Sequence, residues 1–166
     1  MNDIPIDVFI DLPPSPEPVQ AGRLWSHFRK GRESASFEYN REWLANPYRF
    51  ALEPLLPLAD GTFHTTPGQS VFGAIGDSTP DRWGRILMRR AELARARAAN
   101  ESPRTLSELD YLLRVNDEAR QGALRFSQDG GQSFCAPPGA TPIPPLVNLS
   151  RLLHAADHFC RDDENA

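Results

Sequence analysis

The 166-residue chain is 40% hydrophobic and 24% charged, a composition that indicates a folded globular protein and excludes a wholly disordered one. Its formal net charge of −4 excludes a surface that is basic overall, although a local basic patch remains compatible with it. No apolar run approaches the roughly 18 residues of a membrane helix, and the acidic N-terminus does not resemble a secretory signal peptide. Cys135 and Cys160 form no disulfide framework, and we expect a cytoplasmic protein.

The N-terminal part of the chain predicts β-strands. Residues 4–12 alternate partly as in a strand and are followed by a proline-rich break. The segments AGRLWSHF and ESASFEYN are joined by RKGR, which predicts a hairpin with Lys30 and Gly31 at its tip. Every second residue from Ala35 to Tyr39 is apolar, so one face of the second strand is expected to be buried.

The middle of the chain predicts one short and one long helix. REWLANP predicts one or two helical turns ended by Pro47, and ALEPLLPL, with its two prolines, predicts an edge strand or a packed loop. The longer helix is predicted from Pro80 to about Ala98, with Ser78 or Thr79 as its N-cap. Its apolar positions are expected to face a core: Trp83, Ile86, Leu87, Ala91 and Ala94.

The C-terminal part predicts a second helix, a strand and a linker. In TLSE, Thr105 and Glu108 are predicted to form a capping box at the start of the helix. QGALRFSQDGG predicts a strand that ends in a turn. FCAPPGATPIPPL has five prolines in thirteen residues, which indicates a linker, and a last amphipathic helix is predicted from about Asn148.

The predicted long helix carries six arginines, for which two roles are considered: Arg82, Arg85, Arg89, Arg90, Arg95 and Arg97. They could form a phosphate-binding face, or a solvent-exposed face with ion pairs to nearby acids. The arginines spread around the helix instead of forming one stripe, and the chain as a whole is acidic. We therefore favour the ion-paired face and do not expect direct nucleic-acid binding.

The remaining patterns indicate no catalytic or metal site. His154 and His158 have the spacing of zinc-binding helices, but an alanine replaces the glutamate of the zinc-protease motif, and only Cys160 is near as a third ligand. FGAIGDS matches neither a P-loop nor a dinucleotide loop and predicts a tight turn before a helix. No GxSxG motif occurs. We assign no catalytic, cofactor-binding or metal-binding residue.

Five segments of the chain resemble, in order, the N-terminal region of HipA-family serine/threonine kinases, the toxins of bacterial HipBA-type toxin–antitoxin modules. They are GRLW, SASFEYNREWL, ALEPLLPL, FGAIGDSTPDRWGRILMRR and DYLLRVNDEARQGALRF. The resemblance implies an α+β fold with a small, mainly antiparallel sheet subdomain followed by helices, the N-terminal part of a HipA-like kinase fold. It assigns 1–127 to this subdomain, 128–147 to a proline-rich linker and 148–166 to the start of the kinase lobe.

The family resemblance also implies a kinase that uses ATP and Mg²⁺. In the family, the glycine-rich phosphate loop, the phosphate-binding lysine and the catalytic and Mg²⁺-binding aspartates lie beyond the helix with which this chain ends. The residues agree, because the single lysine, Lys30, lies at a predicted hairpin tip and no HRD-like or DFG-like run occurs. We therefore expect no cofactor in this chain and no kinase activity from it alone.

Two functional interpretations remain open. The chain is either the N-terminal portion of a HipA-like kinase toxin or a separately encoded, antitoxin-like regulatory subunit that binds a HipA-like kinase core. The expected partners are a HipB-like helix-turn-helix antitoxin, the remaining kinase core, or both. The expected interaction surface consists of Asp81, Arg82, Arg85 and Arg89.

Overall fold

A five-stranded antiparallel sheet is the centre of the computed structural model, which describes residues 5–13, 15–117 and 120–135. The elements of this part of the chain are β1 (Ile6–Ile10), β2 (Val19–Arg29), β3 (Arg32–Tyr39), α1 (Arg41–Ala45), β4 (Thr62–His64), α2 (Gly73–Gly76), α3 (Arg82–Ala98), α4 (Glu108–Arg114) and β5 (Leu124–Ser127). The predicted C-terminal helix, its two histidines and most of the predicted linker lie outside the described residues. The α+β prediction is confirmed.

The strands lie in the order β4-β3-β2-β1-β5, and each neighbouring pair is antiparallel. The predicted hairpin is confirmed, because β2 and β3 pair from Gly22↔Tyr39 to Arg29↔Arg32. Lys30 and Gly31 both have positive φ, as the two central residues of a tight type I′ turn require. The predicted strands at residues 4–12 and in QGALRF are also confirmed, as β1 and β5.

Strand β1 is buried along its whole length because it lies inside the sheet. Ile6, Val8 and Ile10 face the main hydrophobic core. On the opposite face, the Asp7 carboxylate accepts hydrogen bonds from Arg23 Nε at 2.8 Å and from a neighbouring glutamine. This charged position on a buried strand accounts for the partial alternation in the sequence.

Aromatic rings fill the core on one face of β3, as the alternation predicts. The Phe37 ring makes edge-to-face contacts with Tyr39 at 5.0 Å and with Phe72 at 6.3 Å between centroids. Gly22 makes room for the Phe37 ring, since a Cβ there would lie 2.4 Å from it and 2.3 Å from the Glu38 carbonyl oxygen. Close backbone approach therefore requires glycine at this position.

Helix α1 is confirmed, but the predicted starts of the two longer helices are wrong. Helix α3 begins at Arg82 with Asp81 as its N-cap, whose side chain accepts a hydrogen bond from Gly84 N at 2.8 Å. Of the two predicted caps, Ser78 is buried, and the Thr79 hydroxyl donates a hydrogen bond to a backbone carbonyl at 2.6 Å. The expected tight turn before α3 contains the short helix α2.

The capping box of α4 also lies two residues later than predicted. Ser107 and Asp110 form it, instead of Thr105 and Glu108. Glu108 is not available for a cap, because its carboxylate binds Arg85. The chemistry of the box was predicted correctly, but a distant partner determined its register.

The face of α3 that is buried differs from the predicted one. Its buried residues are spaced by four: Gly84, Met88, Glu92 and Ala96. Trp83 is 48% exposed, and the predicted core positions Ala91 and Ala94 are exposed. The hydrophobic pattern fails here because the inner face includes a charged side chain, Glu92.

The proline-containing ALEPLLPL segment is a loop, and its buried Leu56 joins the main core. Strand β4, which follows this loop, was not predicted from the sequence. In the described part of the chain, no helix has both the length and the apolar character needed to cross a bilayer.

The Tyr39 hydroxyl provides a test of how this loop is attached. It donates a hydrogen bond to the Leu56 carbonyl at 2.7 Å and accepts one from Leu52 N at 3.0 Å. Tyr39→Phe leaves both backbone groups without this partner, so we expect the free energy of unfolding in urea to fall by about 1–2 kcal/mol. Tyr48→Phe is the control because Tyr48 is 67% exposed, and its stability should be unchanged. Equal stability of the two variants would contradict a role of the Tyr39 hydroxyl in attaching the loop to β3.

Candidate functional site

A groove with a volume of about 710 Å³ lies between α3 and the segment 103–111. We call it the α3 groove, and its size is in the range of ligand sites in proteins. Its charged side chains come from both walls: Arg82, Arg85, Arg89, Glu92, Arg104 and Glu108. Its apolar wall consists of Leu93, Pro103, Leu106 and Tyr111.

Arg85 joins the N-termini of α3 and α4. Its two terminal nitrogens bind the two carboxylate oxygens of Glu108 at 2.5 and 2.8 Å, and its Nε donates to the Pro80 carbonyl at 3.1 Å. The guanidinium also lies 4.7 Å from the centre of the Tyr111 ring. The hydrogen bond to Glu108 raises the pKa of Arg85. Through these contacts, Arg85 holds the N-termini of the two helices together.

Glu92 is the buried centre of a second charge network. Its side chain is only 2% exposed and accepts hydrogen bonds from Arg95 Nη2 at 2.8 Å and from Arg114 Nη1 at 3.3 Å. Arg104 Nε lies 3.9 Å from the same carboxylate. The hydrogen bond from Arg95 is the main reason that the pKa of Glu92 falls to about 2, against the opposing effect of burial.

Arg104 forms the wall of the groove opposite α3. Its Nη2 lies 2.7 Å from Asp110 Oδ1, so the capping residue of α4 also fixes this arginine. The sequence analysis did not identify Arg104, which lies in a loop with no periodic pattern. Its contacts with Asp110, six positions along the chain, and with Glu92 of α3 bring it to the groove.

The sheet holds the groove in place through Glu33 of β3. Its carboxylate accepts hydrogen bonds from Glu108 N at 2.8 Å and Leu109 N at 3.2 Å, two backbone donors of the first turn of α4. These donors have no partner within the helix, so a negative side chain there stabilises the helix start. Glu33 thus links the β2–β3 hairpin to the helical wall of the groove.

The predicted interaction residues have different local environments. Asp81 caps α3, and Arg85 is paired with Glu108. Arg82 and Arg89 are exposed in the α3 groove and have no ion-pair partner within the described ranges 5–13, 15–117 and 120–135. The unbalanced positive charge that these two arginines add therefore lies on the groove wall formed by α3.

The fold and the groove define a class of protein, a small α+β domain with a charged helical surface beside an antiparallel sheet. The family model described as the HipA N-terminal domain matches residues 17–130. Because this match covers more than half of the chain, the chain belongs to the HipA N-terminal domain family, as the resemblance predicts. The membership indicates a HipA-like toxin–antitoxin context. Searches of curated proteins and of solved structures gave no match.

Glu92 predicts a measurable pH dependence of stability. Its folded-state pKa of about 2 lies below its ordinary value of 4.5, so the stability it contributes is complete above about pH 5 and is lost as the pH falls towards 2. We expect Glu92→Gln to lower the free energy of unfolding at pH 7 by about 2 kcal/mol. The variant should also show a flatter decline in stability between pH 5 and 2 in urea titrations.

Glu101→Gln is the matched control for this measurement. Glu101 binds the same Arg95 at 2.9 Å, but its side chain is 59% exposed. Exposed ion pairs contribute little, so its stability should stay within about 0.5 kcal/mol of the unsubstituted chain. Equal losses in the two variants would contradict the special role of the buried carboxylate.

Proposed function

We propose that this chain is the N-terminal portion of a HipA-like protein serine/threonine kinase toxin and serves it as a non-catalytic, partner-binding module in the cytoplasm. The observation that carries this proposal is the family match over residues 17–130. Its partners are the remaining kinase core, a HipB-like helix-turn-helix antitoxin, or both.

The chemistry of the α3 groove does not fit ATP with Mg²⁺. Phosphoryl transfer requires carboxylates that are free to hold the metal ion. The two carboxylates that line the groove, Glu92 and Glu108, are bound by arginines. Lys30, the single lysine, lies exposed in the β2–β3 turn. These residues support a role in binding rather than in phosphoryl transfer.

The α3 groove supports the partner-binding role. Arg82 and Arg89 are exposed there, and Leu93 presents apolar surface one turn further along the same helix. Arginine beside exposed apolar surface is typical of the residues that contribute most to protein interfaces. We propose this groove as the contact surface for the partner.

The first test is a phosphorylation assay. Incubated alone with radiolabelled ATP and Mg²⁺, the chain should incorporate no label, whereas a HipA-like kinase with all its lobes is the positive control. Incorporation of label by the chain alone would overturn the non-catalytic role.

The second test is co-purification with a HipA-like kinase core that lacks its own N-terminal domain. We expect the tagged chain to retain the core, and the double variant Arg82→Ala/Arg89→Ala to retain several-fold less. Arg97→Ala is the control, since Arg97 is an exposed arginine of α3 outside the groove. The partner-binding role would be overturned if the unsubstituted chain retained neither the kinase core nor a HipB-like antitoxin.

A second candidate function is a separately encoded regulatory subunit that binds a HipA-like kinase core. It is supported by the hydrophobic core of the described residues, which draws on all the strands and on α1, α2 and α4. The genomic sequence after the codon for Ala166 distinguishes the two candidates. An uninterrupted frame that leads to a glycine-rich loop supports the kinase portion, and a separate frame for the kinase core supports the subunit.

A further inference from the structure

The α3 groove has an excess of positive charge at a defined spacing. Arg82 and Arg89 lie seven positions apart on α3, so they occupy the same face and are separated by about 10 Å along the helix axis. Neither has an ion-pair partner in the described part of the chain. Two exposed guanidinium groups at this distance match two carboxylates of one ligand.

The other charges of the groove are balanced by each other. Glu108 is bound by Arg85, and Glu92 by arginines on both of its sides. Arg104 is bound by Asp110. Among the acidic side chains of residues 5–13, 15–117 and 120–135, these pairs leave none to compensate the charge of Arg82 and Arg89, so the groove favours an anionic ligand.

The apolar wall makes a peptide a better match than a nucleic acid. Leu93 on α3 and Pro103 on the opposite wall of the groove are both exposed apolar residues. Tyr111 lines the groove as an aromatic residue, but the Arg85 guanidinium covers one face of its ring and the side chain is buried, so it offers no platform for a base. Aliphatic side chains and proline are instead suited to bind an apolar side chain of a peptide.

We propose that the α3 groove binds an acidic, amphipathic peptide segment of the protein partner. This inference deepens the proposed function and rests on it. In a polyproline II backbone, three residues make one turn of about 9 Å, so carboxylates three positions apart lie on the same side and can reach Arg82 and Arg89 together. The apolar residue that follows the second carboxylate packs against Leu93, which lies one turn beyond Arg89 on α3.

The test is a titration of a fluorescently labelled peptide, ELPELG, followed by anisotropy. Its two glutamates are three positions apart, with leucine and proline between them. We expect saturable binding that weakens as salt increases, because exposed charges are screened over about 10 Å at 0.1 M salt. The matched peptide QLPQLG keeps the shape without the charges and should bind at least tenfold more weakly.

Variants assign the binding to the groove. Arg82→Ala/Arg89→Ala should weaken binding of ELPELG about tenfold or more, and Leu93→Ala several-fold. Arg97→Ala removes one exposed charge from the same helix outside the groove and should change binding less than twofold. Circular dichroism spectra and urea unfolding check that each variant is folded; the three residues of the groove variants are exposed, so their folds should be unchanged.

Several outcomes would overturn the inference. One is equal binding of ELPELG and QLPQLG, and another is unchanged binding by Arg82→Ala/Arg89→Ala. Binding of duplex DNA that depends on these two arginines, without binding of ELPELG, would make the groove a nucleic-acid site. Tighter binding of ELPELG when the acidic residues at 162–164 are replaced by amides would assign the groove to this chain's own acidic segment instead of to a partner.

The outcome also separates this inference from the proposed function. If the unsubstituted chain retains the kinase core but ELPELG does not bind, the peptide chemistry is wrong and the partner-binding module remains. If ELPELG binds but neither the kinase core nor a HipB-like antitoxin is retained, the acidic-peptide chemistry of the groove remains, and the proposed function and the partner assignment that rests on it are wrong.

Discussion

The arrangement of the helices depends on one buried arginine, Arg120. Its side chain is 2% exposed and donates hydrogen bonds to the carbonyl oxygens of Ser78 at 3.1 Å, Leu112 at 3.0 Å and Val115 at 3.1 Å. Its guanidinium lies 4.8 Å from the centre of the Phe126 ring in β5. Burial lowers the pKa of Arg120, but these carbonyls compensate for part of the lost hydration. One side chain thereby fixes the turn before α3 and the end of α4 against the sheet.

The α3 groove is a consequence of that arrangement and of how its charges are paired. Arg120 fixes the turn before α3 and the C-terminal end of α4, and the pair Arg85–Glu108 joins the N-termini of the two helices. Glu92 attracts further arginines to the space between the helices. Once these pairs are formed, Arg82 and Arg89 contribute positive charge that no acidic side chain in the described part of the chain balances. A helix with six arginines thus combines structural ion pairs with a small surface available for a ligand.

Local patterns were sufficient to predict the strands of the hairpin, α1, β1 and β5, because period-two burial and turn residues act over a few positions. They failed at the starts of α3 and α4, where more than one residue satisfies the capping rules. Ser78, Thr79 and Asp81 all have side chains that fit an N-cap, and in the structure it is the Asp81 carboxylate that accepts the hydrogen bond from Gly84 N. Strand β4 was missed because its three residues carry too short a pattern.

The sequence by itself determined the α+β class, the central hairpin and membership of the HipA N-terminal domain family. It also indicated the arginine-rich helix as the candidate surface. Only the tertiary structure decided which of those arginines form structural ion pairs and which are exposed in the α3 groove. The reason is that the deciding ion pairs join Arg85 to Glu108 and Glu92 to Arg114, across 23 and 22 positions of the chain. No local spacing encodes a contact between residues that only folding brings together.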